Sequence, residues 1–73
     1  MIVTGALKAS QTGVTVFVNN STTGALVVKL TGQTTTAGAD MSITDAALVS
    51  GTWYRVTPVF SDGSEGTWLF QAS

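Results

Sequence analysis

The sequence predicts a small all-β domain, either an antiparallel β-sandwich or a small barrel, with about six strands. Three observations lead to this prediction. Short runs alternate between apolar and polar residues, turn-forming residues separate the runs, and no segment of ten or more residues has helical periodicity. With 73 residues, the chain is expected to form one domain over residues 1–73, near the smallest size that buries a useful core.

The clearest strand pair is predicted at residues 14–18 and 25–31. The first run, VTVFV, places three valines on one face, and the second run, ALVVKLT, alternates in the same way. The connecting residues, NNSTTG, are turn formers, and both asparagines and Gly24 tolerate left-handed backbone. These features predict a β-hairpin.

The flanking segments give weaker signals. Residues 2–9, IVTGALKA, predict a first strand, and the threonine-rich residues 32–40 predict a solvated loop or an exposed edge segment. The run MSIT predicts a short strand with Met41 and Ile43 pointing inward. The following DAALV predicts one helical turn with Asp45 as its N-cap.

A second hairpin is predicted at the end of the chain, where TWYRVTPVFS and TWLFQAS flank DGSEG. With a five-residue loop, Phe60 lies opposite Trp68, and Pro58 lies opposite Phe70. A four-residue loop would turn both residues of the last strand to the opposite face. Because a small domain needs its large apolar side chains in the core, we expect the five-residue loop.

The same alternation turns three residues of the preceding strand away from the core: Trp53, Arg55 and Val59. An exposed tryptophan beside an arginine is typical of an interface anchor. These three residues are therefore the interface candidates. The alternative is that a second sheet, or the loop at residues 32–40, covers Trp53.

Composition indicates a protein that is buried against other subunits. Only 10% of the residues are charged, against roughly 25% in soluble domains, and the net charge is −1. There is no cysteine to form a disulfide. Met1 and the short length are typical of a complete small gene product. We therefore expect a protein partner, either shell or tail subunits of a larger particle or further copies of this chain in a homo-oligomer.

Composition also argues against several partners and activities. Three isolated cations, Lys8, Lys29 and Arg55, do not suit nucleic-acid binding, and no apolar run is long enough to span a membrane. The N-terminus lacks the basic start and long apolar stretch of a signal peptide. Without histidine or cysteine, we expect no catalytic residue, no cofactor and no metal site.

The carboxylates are the remaining candidates for chemistry: Asp40, Asp45, Asp62 and Glu65. Each lies beside a predicted turn, so we expect them to cap turns and to solvate loops. A paired-acid site or a loop calcium site is the open alternative.

One stretch carries a family resemblance. Leu48-x-x-Gly51-Thr52-x-Tyr54-x-Val56 resembles the segment that enters the penultimate strand of fibronectin type III and related immunoglobulin-like sandwiches. The resemblance implies a structural corner in which the Tyr54 hydroxyl bonds an upstream backbone group, Leu48 packs beneath the ring and Gly51 allows a close approach. The following SDGSEGTW is similar to the turn and last strand of that fold.

Two features depart from this family. The chain is roughly 15 to 20 residues shorter than a usual domain of this kind, which implies that a strand is missing or that two strands are merged. Pro58 lies in the middle of a strand that is interior in the family, although proline cannot donate a ladder hydrogen bond. Pro58 therefore predicts a bulge or an edge strand.

In overall character, the chain is similar to small bacteriophage head-decoration and tail-associated proteins. The leading hypothesis is a non-enzymatic accessory virion protein that docks on a multi-subunit lattice, with localisation in the virion. A carbohydrate-binding or adhesion module is the first alternative, and a small enzyme subunit is the second. Exposed strand edges offer a further route to a partner through strand addition.

Overall fold

The computed structural model describes residues 2–3, 10–39 and 41–73, and it is built from β-strands and turns. Four strands form an antiparallel sheet in the order β3-β2-β5-β6, and two short strands, β1 and β4, form a separate antiparallel pair. The prediction of a small all-β fold is confirmed. The strands are β1 Ile2–Val3, β2 Val14–Asn20, β3 Leu26–Gln33, β4 Met41–Ser42, β5 Trp53–Val59 and β6 Trp68–Gln71. The rest of the predicted first strand, residues 4–9, lies outside the described residues.

Strands β2 and β3 form the predicted hairpin. Val18 pairs with Val28, and register shifts interrupt the ladder on both sides of the central pairs. In the turn, the Asn20 Oδ1 accepts hydrogen bonds from the backbone N–H groups of residues 22 and 23, and Gly24 adopts a φ of 77°. Every positive φ among the described residues belongs to a glycine, so neither asparagine of this turn uses the left-handed backbone that it tolerates. The asparagine side chain stabilises the turn instead.

The β5–β6 hairpin has a different register from the predicted one. Trp68 pairs with Val56 and Phe70 pairs with Tyr54, because the loop contains three residues, 61–63, instead of five. The Phe60 N–H donates to the Ser64 carbonyl at 2.8 Å, which closes the loop. The third loop residue, a glycine, has a φ of 87° and is left-handed, as this hairpin type requires.

The predicted faces are nevertheless correct in this hairpin. Loops of five and three residues differ by an even number, so the change of register moves no side chain to the other face. Phe70 is buried, and Trp68 is half-buried and packs against the core. Loop length therefore altered the partners of each residue while leaving the core composition unchanged.

Pro58 lies in an interior strand, so the prediction of an edge strand or a bulge at this position is wrong. The Ser21 N–H donates to the Trp53 carbonyl, and the Ala72 N–H donates to the Thr52 carbonyl. The backbone groups of Trp53 therefore point toward β2 and those of Thr52 toward β6, and this direction alternates from residue to residue along β5. By this alternation, the nitrogen of Pro58 points toward β6. The regular pairing of β6 ends at Val56. Beyond it, the Pro58 carbonyl still accepts a hydrogen bond from the Gly66 N–H at 3.3 Å, so the hairpin loses only the one bond that an N–H at position 58 would have donated.

The core lies on one face of the four-stranded sheet, here called the inner face. Ile43 and Leu48, from the segment that links β4 to β5, pack against this face, as does Met41 of β4. Both side chains predicted to point inward, Met41 and Ile43, thus contact the core. The buried apolar residues are Val14, Val16, Val18, Val28, Ile43, Tyr54, Val56, Phe60, Phe70 and Ala72.

Two local predictions for residues outside the strands are wrong. Thr35 was expected in a solvated loop but is only 3% exposed, because its N–H donates to the Gln11 carbonyl at 2.8 Å and its Oγ1 accepts from the Gln11 N–H. At Asp45, the structure has a turn where a helical turn was predicted. The Asp45 Oδ1 accepts from the Ala47 N–H at 2.8 Å, so its side chain caps a turn.

The corner residues are placed by the start of β5. The Tyr54 hydroxyl accepts a hydrogen bond from the Val49 N–H at 2.9 Å, which is the upstream backbone contact that the resemblance implies. Leu48 is half-buried and packs against the core. Gly51 differs from the expectation of a close approach, since a Cβ built there meets nothing within 4 Å. Its φ of 85° requires the glycine.

We expect Tyr54→Phe to lower the free energy of unfolding by about 1 kcal/mol, because it removes the acceptor of the Val49 N–H and leaves the ring in place. Urea denaturation would measure the change. Thr57→Val, on the other face of the same strand, serves as the control for a lost hydroxyl. An unchanged midpoint for the phenylalanine variant would show that the hydroxyl contact contributes nothing.

We expect Gly51→Ala to destabilise the fold by about 1–2 kcal/mol through its left-handed backbone, although the side chain has free space. Gly51→Asn should cost less than the alanine, because asparagine tolerates this conformation better. Thermal unfolding of the two variants makes the comparison. An alanine variant as stable as the wild type would show that the backbone conformation is not strained.

Candidate functional site

The other face of the four-stranded sheet, here called the outer face, carries the three interface candidates. Trp53, Arg55 and Val59 share one side of β5, opposite to the buried Tyr54 and Val56. Trp53 is 51% exposed, Arg55 is exposed and Val59 is half-buried. The alternation of β5 thus brings an aromatic ring, a guanidinium and a branched aliphatic side chain to one surface.

Neighbouring strands extend this surface. In the ladder, Arg55 lies between Asn19 of β2 and Leu69 of β6, and Leu69 is 58% exposed. One row further along, Phe17 pairs with both Lys29 of β3 and residue 57 of β5. The outer face therefore contains apolar side chains from three adjacent strands, with cations between them.

Phe17 and Leu69 were not among the interface candidates that the sequence predicted. The available signal was alternation, which already placed Leu69 out of phase with Trp68 and Phe70. Alternation along one strand does not show which strands pair with each other. The order β3-β2-β5-β6 was needed to show that these side chains lie beside Arg55 and Lys29.

The backbone beneath Trp53 is held in place by the β2–β3 turn. The Trp53 carbonyl accepts a hydrogen bond from the Ser21 N–H at 3.1 Å and another from the Ser21 hydroxyl at 2.9 Å. On the other side, Trp53 pairs with Gln71. The indole thus projects from a strand that is anchored on both sides, so little backbone freedom remains to be lost on binding.

Lys29 and Arg55, the basic residues that the structure describes, both lie on the outer face. The Lys29 Nζ is 5.7 Å from the centroid of the Phe17 ring, in the range of a cation–π contact. Arg55 lies two strands away, between β2 and β6. Among the described carboxylates, Asp45 and Asp62 lie in turns, and Glu65 pairs with Val59 at one end of β5. The outer face therefore carries one cation on its edge strand β3 and one on the interior strand β5.

A shallow, open depression of about 650 Å³ lies elsewhere, where the chain enters β2 beside the β5–β6 turn, and the residues that line it have polar side chains. The Gln11 Oε1 accepts from the Ser61 N–H at 2.7 Å, and the Gln11 Nε2 donates to the Asp62 Oδ2 at 3.3 Å. The Ser64 hydroxyl and N–H both donate to the Asp62 Oδ1, and these bonds hold the pKa of the Asp62 carboxyl below its usual value. The residues of this depression thus bond one another and connect two loops.

The four carboxylates considered for chemistry have separate placements. Asp45 caps one turn, Asp62 caps another and Glu65 lies just after the second turn. Asp40 lies outside the described residues. In residues 2–3, 10–39 and 41–73, no group of three or more histidine, cysteine or carboxylate side chains could hold a metal ion. Within the same ranges, no helix has the length and apolar character needed to cross a membrane.

No protein-family model, no curated protein and no solved structure matches this chain. The function is therefore inferred from the chemistry of the outer face.

Proposed function

We propose that this chain is a non-enzymatic structural module that docks through its outer face on a multi-subunit protein lattice, as an accessory virion protein of the capsid-decoration or tail-associated type. The observation that carries the proposal is the row of Trp53, Arg55 and Val59, of which the first two are exposed and the third is half-buried, on a sheet whose other face is the core. Tryptophan and arginine are the residues that most often dominate binding energy at protein interfaces.

The shape of the outer face suits a protein surface. Trp53 and Leu69 are more than half exposed on adjacent strands, and Phe17 adds a half-buried ring on a third. Apolar side chains on three adjacent strands match the usual anatomy of a protein interface, which has an apolar centre and a polar rim. Because the side chains project from paired strands, docking requires little ordering of the backbone.

Charge indicates the chemistry of the partner. Lys29 on the edge strand β3 and Arg55 on the interior strand β5 both add positive charge to the outer face, while the chain as a whole has a net charge of −1. An apolar patch with carboxylates around it is complementary to this arrangement, and such charge pairs increase the association rate. The partner surface is therefore acidic as well as apolar, and docking weakens as salt concentration rises.

The low charge of the chain supports a place within a large assembly. With 10% charged residues, the surface depends on threonine, serine, asparagine and glycine for its polarity. A lattice of identical subunits offers many equal docking sites, and each occupied site adds stability to the particle by mass action. The virion location belongs to the same proposal.

Co-sedimentation with empty capsid shells tests the proposal, the shells being assembled from the shell protein encoded nearest to this gene. We expect saturable binding by the wild type and at least a roughly tenfold loss of affinity for Trp53→Ala, the size typical of an interface anchor. Val49→Ala is the matched control, because Val49 is 60% exposed but lies outside the sheet. Equal binding by the Trp53 and Val49 variants, or no binding at all, would contradict the proposal.

One observation favours a carbohydrate-binding module as the second candidate function. Trp53 is exposed beside two polar side chains, Ser21 and Gln71, and such a ring can stack on a sugar. Titration of the protein with a glycan panel tests this candidate through tryptophan fluorescence. A response that disappears in Trp53→Phe would support sugar binding, and flat titrations across the panel would remove it. Trp68 remains as an internal reference, since it packs against the core.

A further inference from the structure

Strand β6 forms one edge of the four-stranded sheet, and its pairing with β5 uses one half of its backbone groups. The Ala72 N–H donates to the Thr52 carbonyl, so the bonded pairs continue at Phe70 with Tyr54 and at Trp68 with Val56. The N–H and carbonyl groups of Leu69 therefore point away from β5. In the described chain, β5 is the strand paired with β6. The outward groups of β6 are a template for a further strand.

The opposite edge of the sheet is protected, and β6 is not. Strand β3 carries Lys29, and two register shifts twist its ladder with β2. Charged side chains and bulges are the devices that discourage edge pairing. In contrast, residues 66–73, GTWLFQAS, contain no charged residue and no proline, and the β5–β6 ladder is regular over its four pairs.

We propose that the β6 edge pairs with β6 of a second copy of this chain, antiparallel about a twofold axis, so that two sheets join into one sheet of eight strands. A second copy fits because pairing of β6 with itself brings no like charges together, whereas pairing of β3 with itself would oppose two Lys29 side chains. A twofold axis also gives each copy the same set of bonds.

The axis passes beside Leu69. In this register, the Leu69 N–H of each copy donates to the Leu69 carbonyl of the other, and the two exposed leucine side chains meet on the outer face. Gln71 is less suited to the centre, because its Nε2 already donates to the Gly51 carbonyl at 3.0 Å. The joined sheet places two copies of Trp53 and Arg55 on one continuous face. The pairing uses edge backbone groups and does not depend on the proposed docking function.

Amide hydrogen exchange of the wild-type protein over a concentration series tests the pairing directly, together with the mass in solution. We expect the mass to rise from 7.5 kDa toward twice that value. Over the same range, the Leu69 amide should exchange about tenfold more slowly, since it becomes hydrogen-bonded. Two internal controls are available. The Phe70 amide is bonded to β5 at every concentration, and the Lys29 amide points outward from the β3 edge.

Variants separate this pairing from lattice docking. Leu69→Pro removes the outward N–H without removing a bond to β5, so the protein should remain folded by circular dichroism and stay at 7.5 kDa. If that variant does not fold, Leu69→Lys places a charge at the axis and should also remain a monomer. Trp53→Ala should still double its mass, even where it no longer binds shells. A wild-type monomer at every concentration, or a doubled mass with an unchanged Leu69 amide, would overturn the proposal.

Discussion

Replacement of Phe70 by alanine is expected to lower the free energy of unfolding by about 3–5 kcal/mol. Phe70 is buried on the inner face, and its ring centroid is 5.8 Å from that of Tyr54. Removing the ring leaves a cavity between β5 and β6 and ends this aromatic contact. Because a domain of this size has a total stability of roughly 4–11 kcal/mol, the variant should be close to unfolded at room temperature.

Leu69→Ala is the matched control for this prediction. Leu69 is adjacent in the chain, belongs to the same strand and is 58% exposed on the outer face. Its truncation should change stability by less than about 0.5 kcal/mol when the protein is dilute and monomeric. Urea denaturation followed by tryptophan fluorescence measures both variants. Similar losses at the two positions would mean that the faces of β6 are not divided in this way.

Replacement of Ile43 by alanine should cost about 2–5 kcal/mol, the second largest effect. Ile43 is 1% exposed, although it follows the short strand β4 and lies outside the four-stranded sheet. It packs against the inner face, so the variant tests how much of the fold depends on the segment that covers the sheet. A loss this large would show that the sheet is not stable without its cover.

The control for Ile43 is Val49→Ala, in the same covering segment. Val49 is 60% exposed, and its contact with Tyr54 uses the backbone N–H, which alanine retains. Its truncation should be nearly neutral. Thermal unfolding of the two variants at equal concentration gives the comparison. If Ile43→Ala were as stable as Val49→Ala, the cover would contribute little and the inner face would be held by the strands alone.

Alternation in the sequence was sufficient to divide β5 and β6 into their two faces. The phase of Tyr54 and Val56 against Trp53 and Arg55 follows from the two-residue repeat of a strand, whatever its partners are. The β5–β6 hairpin shows that the faces can be predicted correctly even where the predicted register is wrong. The register was wrong by the difference between a five-residue and a three-residue loop, yet Phe70 still faces the core.

Local turn chemistry was harder to predict. The run DGSEG was expected to form the loop, but the turn closes earlier, with Gly63 in the left-handed position and the Phe60 N–H bonded to Ser64. Similarly, Asp45 was expected to cap a helical turn and caps a non-helical one. Several turns are compatible with such short polar segments, and the strands on either side select among them.

The sequence by itself determined the fold class, the two strand hairpins and the identity of the side chains on each face, because these depend on periodicity and on turn residues close in the chain. Only the tertiary structure decided which strands are neighbours. The order β3-β2-β5-β6 makes β6 an edge, pairs Leu69 with Arg55 and places Phe17 on the same face. Contacts between distant segments also bury Thr35, which bonds Gln11, and place Pro58 inside the sheet. These features depend on contacts between residues far apart in the chain, which local periodicity cannot specify.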